Sequence, residues 1–269
     1  MTTLKLKVQS NYPLEAEVIT PDNFIGKTES EISELPVLLG NETLKLGDLF
    51  SVEGAGSSEI TLEGDLSRVK HIGAEMTQGK ITVHGDAGMH LGAEMHGGEI
   101  VVHGNAGDWA GAEMKGGKIH IHGNAGHGLG GAYRGSRHGM NRGLILVEGN
   151  AGNEVGAVMR RGLIVVHGNV ADFAGAFMLA GTVIVFGQMG ARAGAGMKYG
   201  SIIAFKQLEL LPTFHYDCIY SPIFLKLILQ SLKAQAVAIS QDWITGNYQR
   251  YSGDQNSLGK GEILIYDQH

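Results

Sequence analysis

Glycines recurring every nineteen residues restrict what this chain can fold into more than any other feature of its sequence. Gly85, Gly104 and Gly123 each end a short β-rich run (ITVHG, IVVHG, IHIHG), and after a gap of 26 the beat resumes at Gly149, Gly168 and Gly187. Gly64, after ITLEG, is an earlier and less regular member. A second column, Gly73, Gly92, Gly111, Gly156, Gly175 and Gly194, keeps the same step, so residues 58–205 hold about seven copies. Nineteen residues accommodate two or three short segments joined by turns, and no helix of useful length. A unit that small cannot bury a face alone, so the copies must stack to make a core. The six-residue period of the left-handed hexapeptide solenoid does not fit nineteen. The expected fold is therefore all-β, a right-handed parallel β-helix (a single-stranded solenoid of about seven rungs). Glycine at its corners supplies positive φ and lets neighbouring turns approach closely.

Aligning the copies turns sequence into ladders. An alanine column runs Ala74, Ala93, Ala112, Ala132, Ala157, Ala176 and Ala195, and a methionine column Met76, Met95, Met114, Met159, Met178 and Met197. Small residues and adaptable thioethers at fixed positions read as interior filling. Before the strand-end glycine come Glu63, His84, His103, His122, Glu148, His167 and Phe186. Imidazoles stacked in a straight ladder do not surround one ion, so no metal site is expected there. The next column, Asp65, Asp86, Asn105, Asn124, Asn150, Asn169 and Gln188, is turn chemistry, with side chains bonding to nearby amides and to each other. A further column begins Glu75, Glu94, Glu113 and continues Tyr133, Val158, Phe177, Gly196. Stacked carboxylates must be solvated or paired. Evenly spaced by the repeat itself, they make poor glycosidase machinery, and no catalytic residue is assigned.

The repeat breaks between Gly131 and Gly143, and insertions in solenoids map to loops on one face, often the binding face. Arg134, Arg137, Arg142, Arg160 and Arg161 place five of the chain's eight arginines within 28 residues. In a chain of net charge −6 such guanidinium forks suggest recognition of carboxylates or phosphates. The candidate binding residues are Tyr133, Arg134, Arg137, His138, Asn141, Arg142, Arg160 and Arg161, for a partner protein or an acidic cofactor tail. The competing reading is that these arginines neutralise the glutamate ladder or a neighbouring subunit. The Gly128-Leu129-Gly130 run has no following helix and is not a phosphate loop.

Three regions are expected: a strand-rich N-terminal cap over 1–57, the repeats over 58–205, and a C-terminal cap over 206–269. In the last, Ser221-Pro222 reads as an N-cap and N1 pair opening a helix near 222–234, as cover for the final repeat. Phe224, Leu225, Leu227, Ile228 and Leu232 are expected to be buried. His215, Tyr216, Asp217 and Cys218 are taken as buried cap residues. A single cysteine suits a reducing compartment. No leader and no membrane-length apolar run is seen, so a cytoplasmic protein is expected, with neither membrane nor nucleic acid as partner.

Repeated Gly-Ala-x-Met…Gly-Gly-x-Ile-x-Val-x-Gly-Asn-Ala-Gly, interrupted by Tyr133 through Met140, resembles the C subunit of formylmethanofuran dehydrogenase. It is also similar to the GXGXG domain that ends the glutamate synthase large subunit. The resemblance implies a non-catalytic scaffold subunit of an enzyme complex in one-carbon metabolism and methylotrophy. One branch comprises archaeal molybdenum or tungsten complexes. The other, favoured here, is the bacterial formyltransferase/hydrolase complex, which moves a formyl group from tetrahydromethanopterin to methylofuran and releases formate. The implied partners are a metal-dependent hydrolase subunit, a formyltransferase subunit and a molybdopterin-enzyme-like subunit. The implied cofactor, methylofuran or methanofuran, belongs to the complex and not to this chain alone. A glutamate synthase-type structural domain remains the alternative, and a stand-alone polysaccharide enzyme a more distant one.

Overall fold

Each repeat contributes one short strand whose alternate residues, mostly Ile and Val, face inward, and that alternation decides which side chains enter the core. A computed structural model describes residues 1–8 and 12–267. Its architecture is mostly β, with a thirteen-stranded sheet, a smaller four-stranded sheet and few helices. Every neighbouring pair from Thr2–Leu6 through Glu59–Glu63 and the repeat strands to Ser201–Ala204 and Gly261–Tyr266 is parallel. Register is strict, so that Ile81, Ile100, Ile119, Ile145 and Ile164 stand side by side, all fully buried. A second parallel ladder of single bridges joins Leu66, Ala87, Ala106, Ala125, Ala151, Val170 and Met189.

Close stacking explains the strand-end glycines. A methyl group on Gly123 would lie 2.6 Å from the Gly104 carbonyl oxygen of the preceding repeat. Gly111 adds a left-handed backbone (φ 63°), and a methyl there would sit 2.5 Å from Cδ1 of Ile145. Glycine does not carry all such turns. Glu75, Glu94, Glu113, Val158 and Phe177 also have positive φ, as do His71, His90 and Trp109. The asparagine column behaves as turn chemistry requires: Asn105 Oδ1 accepts from the Asn124 amide at 2.9 Å, and Asn124 Oδ1 from the Asn150 amide at 2.8 Å. A parallel ladder through Asp108, His127, Asn153 and Asp172, which the sequence did not single out, does the same work for a second turn.

The ends differ from expectation in several places. The N-terminal segment holds short helices, Pro21–Phe24, Glu29–Ser33 and Leu46–Leu49, besides its strands. Thr28 and Glu31 form a capping box that starts the second of these. Gly261–Tyr266 continues the main sheet as its next parallel strand after Ser201–Ala204. The helix Ile223–Ala234 begins one residue late, with Pro222 at its N-cap and no side chain capping it. It lies on the outer face of the sheet instead of over the last repeat. Leu225, Leu229 and Leu232 pack in one cluster with Leu146, Val165, Ile184 and Ile203, the outward residues of the later strands. From Leu146 onward these outward positions are aliphatic without interruption, whereas Thr82 and His120 break the column earlier, and the helix follows the continuous apolar face. Leu227 and Phe224, expected to be buried, are consequently exposed. His215–Tyr220 is an exposed edge strand, so Tyr216 and Cys218 are surface residues, not buried cap residues. No helix among the described residues is long and apolar enough to cross a membrane.

Candidate functional site

Backbone bonds locate the insert to the residue. Gly130 has φ 62° and takes the place of Gly111 and Gly156. Met140 then donates to the Gly130 carbonyl at 2.9 Å, as Met114 does to Gly111 and Met159 to Gly156. Met140 therefore completes the methionine column, and it is fully buried like the others. Gly131, not Ala132, stands in the alanine column, and Ala132, not Tyr133, stands in the glutamate column: its amide bonds Ala157 O as that of Glu113 bonds Gly131 O. The alignment by sequence was one residue out because a Gly-Gly-Ala run can be laid on Gly-Ala-Glu in two ways, and only the left-handed turn decides. The surplus is Tyr133–Gly139, projecting from an otherwise unbroken stack.

Tyr133 turns back across the neighbouring repeats. Its amide donates to Glu113 Oε1 at 3.1 Å, and its hydroxyl lies 2.9 Å from His90 Nδ1. Burial, then the Glu113 and Glu94 charges, pushes the phenol up to about 12. Burial chiefly, with the nearby His71 and Lys70, brings His90 down to about 4. The phenol thus keeps its proton and donates to Nδ1 of a neutral imidazole. His71, His90 and Trp109 stack face to face at 4.6 and 5.5 Å, and the tyrosine ring tilts against the last two. A 690 Å³ cleft opens beside them, lined among others by Glu17, Asp22, Glu75 and Glu94. This aromatic column was missed in the sequence. Its signal was a fixed position ahead of the glycine column occupied by His, His and Trp.

The predicted arginines fall into two groups. Arg134 and Arg137 project from the insert, exposed. The amides of Asn141 and Arg160 bond the preceding methionine carbonyls in the same manner, so Arg142 and Arg161 follow at equivalent positions of adjacent repeats. Arg160 Nη1 donates to His138 Nε2 at 3.0 Å, and both line a smaller 270 Å³ hollow with Glu113, Lys115 and Asn141. Asn141 Oδ1 is buried there without a hydrogen-bond partner. Among the described residues no acceptor engages the side chains of Arg134, Arg137, Arg142 or Arg161. They do not neutralise this chain's glutamate ladder: Glu94 is paired with Lys115 at 2.9 Å, and Glu113 receives the Tyr133 amide. Lysine from the adjacent repeat, not an arginine, reaches the Glu94 carboxylate.

The histidine column stacks as a ladder. His84 on His103 and His103 on His122 have ring centroids 4.9 and 5.1 Å apart and nearly parallel planes. Glu148 interrupts it before His167, which stacks on Phe186.

Comparison with known proteins agrees with this geometry. A family model described as the GXGXG motif matches residues 58–215. The C subunit of the tungsten-containing formylmethanofuran dehydrogenase 2 of Methanothermobacter marburgensis is 45% identical over 88 residues, 31% of this chain and 33% of that protein. The C subunit of the molybdenum-containing formylmethanofuran dehydrogenase 1 of Methanosarcina barkeri is 47% identical over 81 residues, 28% of this chain and 27% of that protein. The matched stretch thus spans about a third of the length of these curated relatives. A chain in the crystal structure of the formyltransferase/hydrolase complex (FhcABCD) of Methylorubrum extorquens, in complex with methylofuran, superposes with a TM-score of 0.93. It is 37% identical, over 99% of this chain and 100% of that one.

Proposed function

This chain belongs to the GXGXG family, with the C subunits of formylmethanofuran dehydrogenases among its relatives, and from that premise we propose that it is the scaffold subunit of a formyltransferase/hydrolase complex. It acts in tetrahydromethanopterin- and methylofuran-dependent one-carbon metabolism in the cytoplasm, and it docks the hydrolase, formyltransferase and molybdopterin-enzyme-like subunits without an active site of its own. The observation that carries this reading is the whole-length superposition on a chain of a complex of that kind. The same superposition favours the bacterial complex over the archaeal molybdenum and tungsten enzymes, whose curated C subunits match over about a third of the chain. We read the stack itself as a right-handed parallel β-helix over 58–205, flanked by caps over 1–57 and 206–269. The strict parallel register and the second bridge ladder support that assignment.

The insert is the part of the surface whose chemistry fits an acidic ligand. Arg134, Arg137, Arg142 and Arg161 present guanidinium groups that nothing in the described chain satisfies, and such forks match carboxylates bidentately. They would hold a partner's acidic surface or the carboxylate-bearing tail of the furan cofactor, with Tyr133, His138, Asn141 and Arg160 shaping the loop. The chemistry supplied by that cofactor, when bound to the complex, is carriage of the formyl group. This chain's residues only bind and orient its acidic end.

Purification of the native complex through a tag on this chain, followed by weighing its components, tests the assignment. Formyltransferase and hydrolase partners are expected; an amidotransferase partner, or none, would sink it. Replacing Arg134, Arg137 and Arg142 together by alanine should loosen assembly or cofactor retention, and unchanged assembly, retention and turnover would reject the role given to the insert.

A further inference from the structure

Away from the insert, on the outer face of the main sheet, two departures from the repeat meet at one point. His120 occupies an outward strand position that is Thr82 and Val101 in the two repeats before and Leu146 and Val165 in the two after. Glu148 occupies the slot of the histidine ladder. Alternation places His120 and His122 on the same face, and the parallel register sets Glu148 beside His122. His120 Nε2 and His122 Nδ1 both lie 2.9 Å from the same oxygen, Glu148 Oε1. The two imidazoles are tilted at 36° with centroids 4.2 Å apart, unlike the near-parallel stacking of His84, His103 and His122.

We propose that His120, His122 and Glu148 form a binding site for a divalent cation of the zinc class. The three donor atoms lie within 4.8 Å of one another, and no other group of three His, Cys, Asp or Glu side chains among the described residues converges in this way. Two imidazoles and one carboxylate suit zinc and its late first-row neighbours, and three protein ligands leave a fourth position open. That position has somewhere to face. His120 and Glu148 line a 490 Å³ cleft between the sheet and the segment Gln235–Ala238 that leaves the long helix. His167 lines the same cleft, and its Nε2 is buried without a hydrogen-bond partner among the described residues. It offers an unpartnered ring nitrogen to a water or oxygen ligand held in that cleft. The ladder itself could not have made this site, because stacked rings present parallel nitrogens; the convergence comes from His120, which lies outside the ladder.

The cation site stands independently of the proposed role in a formyl-transfer complex. It is tested on the full-length chain, stripped with chelator and titrated with zinc by calorimetry, with cobalt as a spectroscopic stand-in. One equivalent should bind, cobalt should show the intense visible bands of a tetrahedral site, and zinc should raise the melting temperature. Glu148→Gln keeps the shape, and His120→Leu places there the residue found in the next repeat, so both should fold. Each should weaken zinc by roughly 100-fold or more, beyond the 10–100-fold that loss of an outer supporting contact produces. His103→Asn, in the ladder but outside the cluster, should bind as the parent does. No stoichiometric zinc uptake at micromolar concentration, or equal uptake by the Glu148→Gln and His120→Leu variants, overturns the site.

Discussion

The contact between Tyr133 and His90 shows how one side chain ties an insertion to the regular stack. The imidazole is held neutral mainly by burial, with His71 and Lys70 adding to the effect and Glu15 and Asp108 opposing it. Its folded pKa, about 4, lies below the ordinary value of 6.5. Between those values the unfolded chain binds the proton and the folded chain does not, so stability rises with pH across the window. It is fully present above pH 6.5 and is lost as the pH falls towards 4. The loss is of order 1–3 kcal/mol, allowing for solvent at a half-buried ring. His90→Asn tolerates the left-handed backbone and does not titrate. Urea midpoints at pH 7 and pH 4.5 should differ less for this variant than for the parent. An equal difference in both would assign the acid sensitivity to other groups.

At the scale of the element, a strand, its glycine and its methionine act as one unit. The isoleucine ladder faces inward, the methionines fill the corner behind it, and the left-handed glycine gives way to an isoleucine of the next repeat but one. The register assigned to the insert is tested here. Met140→Ala should destabilise by about 2–5 kcal/mol, the range for truncating a buried large residue, and should match Met114→Ala in the middle of the column. A mild effect at Met140, measured by equilibrium unfolding, would mean that the column skips this repeat. The long helix makes the complementary point. It is placed by the unbroken run of aliphatic outward residues Leu146, Val165, Ile184 and Ile203 in strands many positions away, and its own sequence does not reveal that.

For the whole molecule, the insert is an addition to a stack that is continuous beneath it. Ala132 and Met140 occupy consecutive places in the repeat. Deleting Tyr133–Gly139 restores the nineteen-residue step. The shortened chain should fold with a melting temperature within a few degrees of the parent while losing its hold on partner or cofactor. Collapse of the fold on deletion would show that the insert is structural. The mostly β architecture and the buried methionine column were legible in the sequence because a fixed period imposes the same environment on every copy, whereas the alanine column proved only partly interior, with Ala74 and Ala93 lining the cleft.

What repetition could not report was anything that happens once. The offset of Ala132 and Tyr133, the outward seat of the helix, the exposure of the His215–Tyr220 edge and the meeting of His120 with Glu148 each depend on particular neighbours in space that the period does not specify. The sequence by itself determined that consecutive copies must stack in parallel register, since no nineteen-residue unit buries its own core. Only the tertiary structure decided which side chains from different copies touch, because a backbone turn or a covering helix can shift that pairing without changing the period at all.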